Sequence, residues 1–131
     1  MPTIQSGWIW VDLGPKHDTS AEIANADVVI VRAPVPVAGT VKTIKLCADI
    51  LPTTATVAIS KAVATVDTAL AGTVTINTAL TANVAYSVTV YTNAQSMHVG
   101  ATDMLRAIWT FTTIGSGDGF GCLVAIEPDS W

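Results

Sequence analysis

Thr40–Ser60, TVKTIKLCADILPTTATVAIS, is the stretch whose reading decides the fold class. In its first half Ile44, Leu46, Ala48 and Ile50 point one way, and Thr43, Lys45, Cys47 and Asp49 the other. In its second half Ala55, Val57 and Ile59 alternate with Thr54, Thr56 and Ser60. Period-two alternation over two consecutive segments marks half-buried antiparallel strands. Leu51-Pro52-Thr53-Thr54 supplies the turn, because proline pre-sets φ and cannot donate to a ladder. The expectation is a β-hairpin.

Working outward, Ile4–Leu13 is a second strand candidate, with Trp8, Trp10 and Asp12 on one side and Ile9, Val11 and Leu13 on the other. Two readings of the tryptophan pair stand open: a contact with a neighbouring chain, where tryptophan is favoured, or a cap on this domain's own core. Gly14-Pro15 breaks the strand, and Thr19–Glu22 has the spacing of a helix capping box ahead of a turn at Ser20–Ala24. Asp27–Arg32, a continuous apolar run, reads as a buried strand. Pro34–Gly39 reads as an extended connector.

After Ser60 the pattern blurs, and Ala62–Ala71 reads as irregular chain. Thr73–Asn77 is a short strand with Val74 and Ile76 inward. Tyr86–Thr92 alternates again. Met104–Thr113 is the longest strand, with Leu105, Ala107, Trp109 and Phe111 on the core side. Gly115–Gly119 is a turn of residues that tolerate positive φ, and Phe120–Glu127 closes the sheet. About eight strands with few or no helices make an all-β antiparallel sandwich, and eight favour a jelly-roll-like order. Residues 1–26 form an N-terminal strand or arm and loop, and residues 27–131 the sandwich, within a single domain overall.

Composition narrows function. Of the 131 residues, 50% are hydrophobic and only 12% charged, about half the usual charged share. A chain this long buries roughly two-thirds of its unfolded surface, so it needs no metal or disulfide staple. Its outer faces must then be coated with Thr, Ser and Ala, a surface suited to broad contacts inside an assembly. A weakly charged secreted monomer is the other reading. The net charge of −4 argues against a nucleic-acid partner. No apolar run of about 18 residues suggests membrane insertion, and the start carries no export signal.

Chemistry-bearing groups are sparse. His17 and His98 stand far apart, outside any metal-ligand spacing. His17 beside Asp18 could be a base and its orienter, or a solvated pair. Ser116 in GSGDG lacks the G-x-S-x-G elbow and the P-loop lysine, and Asp118 alone makes no calcium loop. Cys122 shares a side with Phe120, Val124 and Ile126, whereas Cys47 faces away with Thr43 and Lys45. Opposite facings predict two free thiols, which suits a reducing cytoplasm. No catalytic residue, cofactor site or metal site is expected, and the chain reads as no enzyme.

The order of motifs carries a resemblance. GTVxxIxL (Gly39–Leu46) follows a Pro-Val segment, then come TTATVAI (Thr53–Ile59), a Thr/Ala-rich middle, VGATDMLR (Val99–Arg106) before a long strand, and a last strand ending in Ile126-Glu127. This resembles the small jelly-roll head decoration, or cement, proteins of tailed bacteriophages over roughly Asp27–Glu127. The resemblance implies a virion structural subunit, often a homotrimer, made in the host cytoplasm. It would sit on the capsid exterior and clamp neighbouring major capsid proteins. It implies no individual functional residues, because that family works through broad surfaces. From the residues themselves, Trp8, Trp10, Thr43, Lys45 and Trp131 are the candidate interface. The alternative is a carbohydrate-binding or host-recognition jelly-roll module of a head or tail fibre, with Trp8, Trp10, Tyr91 and Trp109 as stacking rings.

Overall fold

Alternating apolar and polar residues give this chain strands with one wet and one dry side, and two such sheets bury their dry sides together. The computed structural model describes residues 7–15, 23–92 and 97–129. Along the chain run β1 (Ile9–Asp12), β2 (Asp27–Pro34), β3 (Gly39–Cys47), β4 (Thr54–Val63), β5 (Val66–Ala69) and β6 (Val74–Thr75). Then follow the one-turn helix α1 (Ile76–Ala79), β7 (Tyr86–Val88), β8 (His98–Val99), β9 (Met104–Thr113) and β10 (Gly121–Pro128). The first sheet has the order β1-β10-β3-β7, with β8 also on β3. The second has the order β2-β9-β4-β5, with β6 also on β4. Every pairing is antiparallel. Setting aside the two-residue strands β6 and β8, eight strands interleave between two four-stranded sheets, which is a jelly roll.

Thr40–Ser60 is not a hairpin. Its two strands, β3 and β4, lie in different sheets, and Ala48–Thr53 carries the chain from one to the other. Alternation reports which side of a strand is dry, and both strands are dry towards the same core, so the pattern is identical either way. The crossing pairs instead with the glycine turn. The N–H groups of Asp49 and Ile50 donate to the Asp118 carbonyl at 2.9 and 3.1 Å, and the Asp118 N–H donates back to Ile50 at 3.0 Å. Gly119, at φ +68°, closes that turn against the Asp49 side chain, where a Cβ would collide.

The core follows the expected phase. Ile44 and Leu46 of β3, Val57 and Ile59 of β4, Val124 and Ile126 of β10, and all of Leu105, Ala107, Trp109 and Phe111 of β9 are buried. Each buried aliphatic or aromatic side chain contributes about 1.5–3 kcal/mol. Trp109 stacks on Phe111 at 6.2 Å, and Phe120 tilts against both. The Trp109 indole N–H donates to the Leu13 carbonyl at 3.0 Å, tying the end of β1 to the opposite sheet.

Two further readings need correcting. Asp27–Arg32 is an edge strand rather than a buried one: among the described residues only β9 flanks β2, and Val28 and Ile30 are 56% and 40% exposed. Its inward residues Val29, Val31 and Ala33 are only partly buried. Ala62–Ala71 is not irregular, because β4 turns through Ala64-Thr65 into β5 as a true hairpin, with Ala64 itself in the left-handed region at φ 56°. The strand expected at Thr73–Asn77 shortens to β6 before α1, with Val74 and Ile76 buried as expected. The capping box at 19–22 and the His17-Asp18 pair lie outside the described residues. Residues 9–12, within the segment read as an arm, form an edge strand of the first sheet paired with β10.

Candidate functional site

A β-bulge shapes the outer face of the first sheet. Ala125 pairs with Thr43 but Ile126 pairs with Val41, leaving Lys42 as the extra residue. The bulge keeps Val41 and Ile44 dry and puts Thr40, Lys42, Thr43, Lys45 and Cys47 outward. Ala125, on the outward phase of β10 with Leu123 and Glu127, is fully buried yet apart from the core, flanked by Trp10 and Thr43.

Strand pairing then assembles two rows of side chains: Trp10–Ala125–Thr43, and beside it Asp12–Leu123–Lys45–Ser87. The register of β1, extended by one residue, sets Trp8 level with Glu127. Four of the five expected interface residues, Trp8, Trp10, Thr43 and Lys45, therefore share one face. Trp131 lies outside the described residues. Trp8 and Trp10 are 45% and 44% exposed, and Leu123 between Asp12 and Lys45 is 42% exposed. Both rings face outward, so neither caps the core.

Charges border these apolar groups. Lys45 Nζ donates to the Ser87 hydroxyl at 2.6 Å, which fixes its ammonium over the sheet. Lys42 and Glu127 make a surface pair at 3.6 Å, worth little by itself. Asp12, Lys45, Cys47 and Leu123 help to line a cavity of about 300 Å³ at one end of the face. Cys47 at its rim is exposed and Cys122 beneath is buried, both as free thiols. Partial burial, and then the Asp49 carboxylate, raise the Cys47 pKa, against a hydrogen bond from Gly121. Burial pushes the Cys122 thiol from its ordinary 9.0 up to about 12.

Asp12, Lys45 and Cys47 share that cavity, with the Lys45 ammonium held on Ser87. His98 Nε2 and Asp129 Oδ2 meet at 2.8 Å, on β8 and past β10, and both side chains are half-exposed. Among the described residues no three His, Cys, Asp or Glu side chains gather as a metal site would need, and no helix is long and apolar enough to cross a membrane. Sequence reasoning missed Leu123 and Ala125. The signal for Leu123 was present in FGCLVAIE: it is a large apolar residue on the outward phase set by Cys122 and Val124. A scan of protein-family models, a search of curated proteins and a search of solved structures each returned no match.

Proposed function

We propose that this chain is a virion structural protein, a decoration or cement protein that binds the outer surface of a tailed-phage head and holds neighbouring major capsid proteins together. The observation that carries the reading is the face built by Trp8, Trp10 and Leu123. Three large apolar side chains, each more than 40% exposed, stand on one sheet face in a chain with 12% charged residues. Such a patch marks a surface that is covered in use, and tryptophan anchors ringed by polar groups are the usual centre of a protein contact. Thr43, Lys45 and Ser87 supply that polar border. The jelly roll and the resemblance over Asp27–Glu127 add the virion setting. As a homotrimer the protein would present three such faces at once, and a weak single contact becomes a firm one by linkage.

The test is co-sedimentation with heads of the phage that encodes the chain, together with a native mass measurement in solution. The expected mass is three times the 13.6 kDa chain, with saturable binding to heads. A stable monomer that stays in the supernatant overturns the reading.

A second reading rests on the same two rings. Trp8 and Trp10 project from one side of β1 beside Asp12, an arrangement on which sugar rings could stack. Tyr91 follows β7, across the sheet from β1, and Trp109 is core, so the platform reduces to two rings. Glycan-array binding abolished by Trp10→Ser, with no binding to heads, would favour it.

A further inference from the structure

The chain has two arginines, and the fold makes them direct neighbours. Arg32 on β2 and Arg106 on β9 are cross-strand partners, with Ser60 of β4 next in the row. This is the outer face of the second sheet, remote from Trp10. Directly opposed residues stand about 5 Å apart at Cβ, and like charges there repel. In a chain with ten acidic residues against six basic, compensation is incomplete. Asp67 on β5 pairs with Arg106 through Nη1, which neutralises one charge. Arg32 has no ion pair among the described residues. Arg106 Nε is buried and donates to nothing, although a buried donor without a partner forfeits its hydration unrepaid.

Arg32, Arg106 and Asp67 line a common cavity of about 160 Å³ with Thr65 and Met104. At about 30 Å³ per water, that is space for a group of several heavy atoms. Two positive charges and one negative leave a single net positive charge. We propose that Arg32 and Arg106 form a receptor for one carboxylate, with one oxygen accepting from the Arg32 guanidinium and the other from Arg106 Nε once that side chain turns its buried, unpartnered donor towards the cavity. Planar, two-point recognition is what guanidinium groups do best. A monoanion balances the site, whereas a dianion such as phosphate meets Asp67. The carboxylate belongs to a free organic acid or to an acidic side chain of a docked polypeptide. Ile30, Ile108 and Met104 on the same face would give the polypeptide extra contact.

The test uses the full chain, ¹⁵N-labelled at low ionic strength, where the two arginine Nε–Hε resonances are read directly. Sodium acetate and a capped peptide with one central glutamate are titrated against sodium chloride, inorganic phosphate and the same peptide with glutamine. The site predicts a saturable shift with the two carboxylates, about tenfold or more weaker with the other three. Arg32→Gln weakens acetate binding by about tenfold or more while leaving the ligand-free midpoint of thermal unfolding unchanged or higher, because a repulsion is removed. A purely structural role for Arg32 would lower it. Arg106→Lys keeps the charge and loses the Nε donor, and acetate binding falls as well. Tighter binding of the glutamate peptide than of acetate assigns the site to a docked chain, and equal binding to a free acid. Non-saturating shifts of the same size with chloride, or unchanged acetate affinity in Arg32→Gln, overturn the proposal.

Discussion

Replacing Trp109 with phenylalanine tests how the tryptophan-bearing face is held to the core. Trp109 is 1% exposed, and its indole N–H is the donor to Leu13, itself fully buried at the end of β1. Phenylalanine keeps the stack on Phe111 but leaves the Leu13 carbonyl unpaired, at about 1–3 kcal/mol. The missing half of the indole leaves a void that adds about 1 kcal/mol. Together about 3 kcal/mol is lost, or roughly 10 °C in the thermal midpoint of a chain this size. The effect has an address. β1 is a four-residue edge strand held by β10 and by this link to the second sheet, so the amides of Val11 and Leu13, which face β10, should exchange with deuterium faster than those of β9. Urea unfolding gives the magnitude, and residue-resolved exchange gives the place. A loss under about 0.5 kcal/mol with unchanged β1 exchange would refute the idea that the indole ties the tryptophan-bearing strand to the core.

Other expectations follow from the same contacts. Gly39→Ala should destabilise by about 3 kcal/mol or more, because a Cβ there runs into the Glu127 carbonyl on β10; the urea midpoint reads it. With a disulfide reagent under native conditions Cys47 should react and Cys122 should not until the chain unfolds. Since the Cys122 pKa is raised on folding, the native state holds its proton more tightly, and stability is unaffected below about pH 9. It then falls by about 1.4 kcal/mol per pH unit up to about pH 12, a slope that Cys122→Ala should remove from alkaline unfolding curves. Trp10→Ser and Leu123→Ser should change stability by no more than about 0.5 kcal/mol, since both side chains are exposed, and this is checked by thermal unfolding.

Local pattern carried much of the fold. The phases of β3, β9 and β10 were legible because each strand has one dry side, and Trp109, Phe111, Val124 and Ile126 all fall where alternation puts them, whereas β1 is apolar on both sides and left its phase open. What alternation omits is the partner. β3 and β4 looked like a hairpin because both face one core, and nothing in Ile50–Thr53 distinguishes a turn within a sheet from a crossing between sheets. Val28–Val31 looked buried because a run of apolar residues reads the same whether or not its second side is covered. The hairpin into β5 was hidden because its left-handed position is Ala64, not the glycine or asparagine that usually announces such a turn. The candidate site was half legible. Trp8 and Trp10 stood out on one phase of β1 without showing whether it was the outer one, and only the pairing of β10 between β1 and β3 sets Thr43 and Lys45 beside them. The Arg32–Arg106 pairing depends on β2 meeting β9 and has no local trace.

The most direct test of the docking face compares the wild-type protein with Trp10→Ser/Leu123→Ser in co-sedimentation with phage heads, after both are shown to be folded and equal in oligomeric mass. The account predicts saturable binding by the wild type and a loss of about 100-fold or more for the double variant, as two central apolar anchors would give. Equal binding by the two proteins would contradict it.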